Sequence, residues 1–341
     1  MRTLVFLSIV VTSGVLATTA AADGLPVLGI DVGQVGVTVP GSPERIVTIN
    51  EGRWTLVERI ARSGGRVRGF TRVKGTFTIP AVAYDSSASG LSADGKTLVL
   101  IEPRRAFPRA TTRFALLDAR GLGLYRTITL RGDFSFDALS PHGWTMYLVN
   151  YTRPSDPTRY SVRAYDLRAN RLLPKPIVDP AEHSDKMRGS PITRLMSADG
   201  RWAYTLYDGA GSEPFVHALD TARGTAHCID LEMLAGRADL WSLELRGGAA
   251  GKPVRVVSSG APVAVLDTTT FAASVPRTHG RPWALFIAAL LGVLALVTVP
   301  AWVRGSDGRA RADHRRGAQA RRLRPRGRSP GLRVADPRRR G

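Results

Sequence analysis

The chain has 341 residues, 48 Lys+Arg against 28 Asp+Glu, a formal net charge of +20, one cysteine and 43% hydrophobic residues. That length and apolar share suffice for the packed core of one large domain or two ordinary ones, and exclude wholesale disorder. A single cysteine excludes an intrachain disulfide framework and any cysteine-rich zinc or iron–sulfur site.

The chain opens with the three-part pattern of a secretory signal. Met1 and Arg2 make a short positive start, Leu4 to Ala17 is an apolar run, and Ala20-Ala21-Ala22 precedes Asp23. Cleavage is expected after Ala22; an uncleaved anchor is the other reading, disfavoured because the run is shorter than the ~20 residues of a span. No Cys follows the run for lipidation and no Arg pair precedes it, so general secretion is expected, with residues 1–22 as the signal.

Residues 23–280 form the body and carry an internal repeat. Leu91–Leu100 (LSADGKTLVL), Leu139–Leu148 (LSPHGWTMYL) and Met196–Thr205 (MSADGRWAYT) align. A second motif accompanies them in Phe114–Asp118, Val162–Asp166, Val216–Asp220 and Val263–Asp267. The serines are 48 and 57 residues apart and the closing aspartates 48, 54 and 47 apart, a period near 50. Asp-Gly or His-Gly between apolar strands is a hairpin turn: Gly supplies the positive φ, Asp or His tolerates it, and the preceding Ser can bond the turn backbone. The second motif is a strand that ends at Asp and breaks within four residues at Gly121, Asn170 or Gly224. Trp54–Glu58 followed by Ser63-Gly64-Gly65 fits the second motif as a degraded first copy, with Glu in place of Asp. At least two antiparallel hairpins per unit, repeated at this period, make a propeller blade.

These motifs, with Leu219-Asp220-Thr221-Ala222-Arg223-Gly224 closing a strand, resemble the bacterial WD40-like propellers of the YncE/YVTN and TolB type over residues 90–270. The expected fold is all-β: a β-propeller of roughly five (four to seven) four-stranded blades, plus one C-terminal transmembrane helix.

No catalytic, cofactor-binding or metal-binding residue is assigned from the sequence. It contains no GxSxG elbow, HExxH, P-loop, or GxGxxG opening a helix. His142, His183, His217, His227 and His279 fall at no metal-ligand spacing and read as structural or surface residues; His142 replaces the turn Asp of its siblings. Asp94 and Asp199, one carboxylate per turn on different blades, fall short of the six to eight oxygens of a calcium site and read as turn formers. Asp118, Asp166, Asp220 and Asp267 read as strand-end residues bonding nearby backbone. Cys228, in a strand expected over Ala226–Leu231, reads as a buried thiol. Asn150-Tyr151-Thr152 matches a glycosylation sequon by coincidence of composition.

Trp283 to Val303 is 21 residues without a charge, flanked by Trp283 and Trp302, with Pro300 near the exit. A helix of that length matches the ~30 Å hydrocarbon core, and indoles prefer the headgroup layer. Residues 304–341 follow with fourteen Arg, no Lys and three Asp. Export of the N-terminus and the positive-inside rule agree on orientation: body extracytoplasmic, tail cytoplasmic, with Arg277 and Arg281 a minor dissent. The tail reads as a solvated anchor that can touch anionic lipid headgroups; nucleic acid is disfavoured because no aromatics interleave the charges. Only five Lys stand among the 48 basic residues, a bias that a GC-rich bacterial genome produces without selection for arginine chemistry.

Two functions follow. One is a membrane-anchored extracytoplasmic propeller that binds an envelope protein or glycan without catalysis. The other, implied by the resemblance alone, is a propeller enzyme of the lactonase or hydrolase kind, with His, Glu and Arg around a central channel.

Overall fold

The computed structural model describes residues 36–182 and 187–276, all within the compact unit Met1–Arg277. The expected signal 1–22, the span Trp283–Val303, the tail 304–341, and His183 and His279 lie outside the described residues. Among the described residues no helix is long and apolar enough to cross a membrane.

The described residues form five antiparallel sheets wound in chain order. The first holds β1 (Val37–Thr38), β2 (Glu44–Glu51), β3 (Trp54–Ala61) and β4 (Val67–Lys74). The second holds β5 (Thr97–Ile101), β6 (Thr111–Asp118) and β7 (Leu124–Arg131). The third runs β8 (Phe134–Leu139), β9 (Thr145–Tyr151), β10 (Arg159–Asp166) and β11 (Arg171–Ile177), with a short β12 (Met187–Arg188) also on β10. The fourth is β13 (Pro191–Met196), β14 (Trp202–Tyr207), β15 (Phe215–Asp220) and β16 (Thr225–Asp230). The fifth is β17 (Glu244–Arg246), β18 (Val254–Ser258), β19 (Ala261–Leu266) and β20 (Ala273–Ser274).

Consecutive sheets pack face to face, because period-2 patterning gives each strand an apolar face and central sheets two. Ile46 and Val57 of the first sheet meet Leu98 and Leu117 of the second. Val99 and Phe114 on the other face of the second meet Phe136 and Met146 of the third. Val162 and Tyr147 then meet Ala203 and Leu219 of the fourth, and Tyr204 and Val216 meet Val254 and Leu266 of the fifth.

The sheets approach one another at their first strands and the turns that follow, and there the fourth also meets the second, as a radial arrangement requires. Arg194 on β13 pairs with Asp137 on β8, both side chains buried. Asp94 donates its N–H to Pro141 O (3.1 Å), and Ala198 donates to Gly248 O (3.1 Å). Gly200 of the fourth sheet lies against Ala93 of the second. This is propeller geometry. Among the described residues no hydrophobic cluster joins the fifth sheet to the first, and no closed sheet forms.

The turns behave as their chemistry dictates. Gly95, Gly143 and Gly200 have φ of 66°, 67° and 71°. Ser92 Oγ donates to Asp94 (2.7 Å) and accepts from Thr97 N–H (3.0 Å); Ser197 does the same with Asp199 and Trp202. Asp118, Asp166, Asp220 and Asp267 each accept two backbone N–H groups just beyond their strand. The first three of these turns are each latched by the preceding sheet. Arg59 bonds the Ala119 carbonyl, Arg126 the Leu167 carbonyl (2.5 Å), and the Tyr147 hydroxyl the Thr221 carbonyl (2.8 Å).

Two expectations are corrected. The blades are not uniformly four-stranded: residues 78–91 touch the second sheet only through isolated bridges, Thr78↔Ile101 and Leu91↔Leu98. Pro80 removes a ladder donor there, and Tyr84 and Asp85 donate instead to Pro191 O (2.9 Å) and Ile192 O (3.1 Å) of the fourth sheet. Glu58 is not a strand end, because β3 continues to Ala61 in register with Glu44.

Candidate functional site

Strands alternate in direction, so the Ser-x-Asp/His-Gly turns and the strand-closing Asp turns share one end of the propeller. The longer connections, 102–110, 152–158, 208–214, 231–243 and the described residues 178–182 after β11, gather at the other. Binding sites concentrate on such loops because a rigid scaffold positions them. A cavity of about 660 Å³ lies at the loop end, walled by the third and fourth sheets and their loops.

Its floor follows from hairpin register. The Asp220–Thr225 closure pairs His217 with Cys228 and Phe215 with Asp230. Period-2 alternation puts all four on one face, and all line the cavity. His227, paired with Ala218, falls on the opposite face and stacks on Phe271 at 3.9 Å between centroids. The two imidazoles therefore do not converge. The side wall comes from Ile177, Val178, Asp179 and Glu182 after β11. Asp179 is buried and accepts the N–H of Cys228 (2.7 Å), an outer-edge donor of the fourth sheet, and that of Ala181 (2.9 Å). Asp208 ties the rim together, accepting from Ser190 N–H (2.7 Å) and Ala210 N–H (3.0 Å).

Among the described residues the lining carries four carboxylates, Asp179, Glu182, Glu213 and Asp230, against one guanidinium, Arg188. In a chain of net charge +20 this is a local reversal of sign. Burial first, then Glu182, Asp179 and Asp230, pushes the Cys228 thiol up to about 12. Cys228, expected to be a buried thiol, is half-buried and lines the cavity. A thiol so far from its thiolate is a poor nucleophile. Burial also pulls the His217 imidazole down to about 4, outweighing the nearby Asp137 carboxylate. Among the described residues no three His, Cys, Asp or Glu side chains converge to hold a metal ion.

The His217 shift sets an acid dependence of stability. Its folded value lies below the unfolded value of 6.5, so the unfolded chain binds the extra proton. The contribution is whole above about pH 6.5 and is lost as pH falls towards 4, in total about 3 kcal/mol. Urea unfolding of wild type and His217→Gln at pH 7 and pH 4.5 is expected to show a smaller acid loss in the variant. Equal losses would contradict the burial of a neutral imidazole.

At the turn end, Asp94, Lys96, Tyr125, His142, Trp144 and Arg168 edge a groove of about 290 Å³. Trp144 is exposed under the Arg168 guanidinium (4.9 Å), and His142 lies 3.7 Å from Asp94. These contacts are exposed and the groove is open. His142 stands in the turn between Pro141 and Gly143, where the repeat places it.

No known family profile matches the chain, and no curated protein matches it. Solved structures match weakly. A functionally unknown protein from Desulfotomaculum acetoxidans has TM-score 0.43 at 12% identity, over 71% of this chain and 68% of the other. A TolB from Agrobacterium tumefaciens has TM-score 0.38 at 15% identity, over 69% and 81%. An acylaminoacyl peptidase from Pyrococcus horikoshii has TM-score 0.40 at 11% identity, over 71% of this chain but 38% of its own length. The propeller assignment rests on the sheets of this chain.

Proposed function

We propose that the chain is a membrane-anchored, extracytoplasmic propeller of the bacterial envelope that binds a ligand at its loop end and does not transform it. The observation that carries this reading is the cavity between the third and fourth sheets. It has the size of a small-ligand site, which typically spans ~300–1,000 Å³, and its thiol and imidazole are both held in their neutral, poorly activated forms. A hydrolase would need an activated nucleophile or a base poised near neutral pH. The signal and the Trp283–Val303 span supply the location, with the tail against anionic headgroups inside.

The test compares the full chain in nanodiscs with Ser212→Trp, which fills the cavity rim. Wild type is expected to retain an envelope protein or glycan from solubilised membranes, the variant is not, and neither is expected to hydrolyse lactones or esters. Turnover abolished by His217→Gln would overturn the reading in favour of a propeller hydrolase.

A further inference from the structure

We propose that the cavity takes an organic cation, an alkylammonium or guanidinium group carried on an apolar stem. The proposal rests on the reading that this cavity binds a ligand, and adds the ligand's chemistry. Four carboxylates reach the lining from three separate segments: Asp179 and Glu182 from the loop after β11, Glu213 from the β14–β15 loop, and Asp230 from the end of β16. An anion placed there would meet all four, whereas an ammonium would lower their mutual repulsion.

A second, independent observation points the same way. The His217 ring is 2% exposed, lines the cavity, and has no hydrogen-bond partner among the described residues. A neutral imidazole keeps one ring nitrogen as an acceptor, and an ammonium or guanidinium offers only donors. A ring acceptor on the cavity wall is open to a ligand's donor. The remaining wall, Ile177, Val178, Met187 and Phe215, suits the methylenes of a diamine or of a lysine or arginine side chain. The carboxylates do not converge as a metal shell does, so the charge is matched by a diffuse cation with several donors.

The full chain in nanodiscs supplies the test. Calorimetry is read with 1,5-diaminopentane, 1,5-pentanediol, glutarate and a short Gly-Lys-Gly peptide. The diamine or the lysine peptide is expected to bind; the diol and the diacid are not. Whichever of the two cations binds tighter identifies a free amine or a peptide side chain as the source. Glu182→Gln/Asp230→Asn is expected to weaken cation binding by roughly tenfold, and the single exposed change Glu213→Gln, which leaves the sheets untouched, by a few-fold. Diol binding equal to that of the diamine, no binding of either cation, or unaltered cation affinity in both variants would overturn the proposal. If Ser212→Trp still lost its envelope ligand in any of those cases, the binding reading would stand and only the cation would fall.

Discussion

Replacing Asp133 with Asn is expected to destabilise the propeller by about 3–5 kcal/mol, the cost of breaking a buried ion pair from one side. The Asp133 carboxylate is 2% exposed and sits between two buried guanidiniums. Arg104 reaches it with Nε at 3.1 Å to both oxygens and with a second, shorter contact from Nη2. Arg109 Nε lies 3.4 Å away, and the Arg109 backbone N–H donates to it at 2.9 Å. Burial and the neighbouring Arg104 pull the Arg109 guanidinium down to about 10, against the support of Asp133 and Glu102. Asparagine keeps the shape but leaves two buried cations facing each other. Chemical denaturation measures the loss, and Arg109→Met in the Asp133→Asn background is expected to recover part of it by removing one cation. A change below about 1 kcal/mol would show that the 102–110 loop is not held by this carboxylate.

Gly200→Val is expected to cost about 3 kcal/mol or more. At φ 71° a β-branched residue is strained by roughly 1–3 kcal/mol, and its Cβ would stand 2.3 Å from Ala93 Cβ on the second sheet. Gly95→Val separates the two costs. Gly95 has φ 66°, and its nearest atom is the Pro40 ring at 3.6 Å, so strain acts there almost alone. Thermal melts should rank Gly200→Val well below Gly95→Val. Equal melts would show that the turns of the second and fourth sheets do not meet near the axis.

The turns were legible in the sequence because their chemistry is local. Ser92, Asp94 and Gly95 bond within a few residues of one another, and the same spacing recurs at Ser197, Asp199 and Gly200. The missing strand of the second blade was less visible, since a segment beginning at Pro80 gives its donors to Pro191 and Ile192, over a hundred residues away. The cavity left no motif at all. Its carboxylates come from positions 179, 182, 213 and 230, brought together by loop paths and not by spacing. The His217–Cys228 pairing was within reach, because the Asp220-Thr221-Ala222-Arg223-Gly224 turn fixes the hairpin register and so names the facing residues. Ion pairs such as Arg194 with Asp137, 57 residues apart, follow only from the order in which the sheets stack.

The central claim is that ligand recognition happens outside the membrane at the loop end. A photo-crosslinking amino acid at Ala235, exposed on the cavity rim, can be compared in intact cells with one at Tyr125, in the turn-end groove. A discrete adduct that Glu182→Gln/Asp230→Asn removes is expected from Ala235, and none from Tyr125. An adduct from Tyr125 alone would contradict the claim.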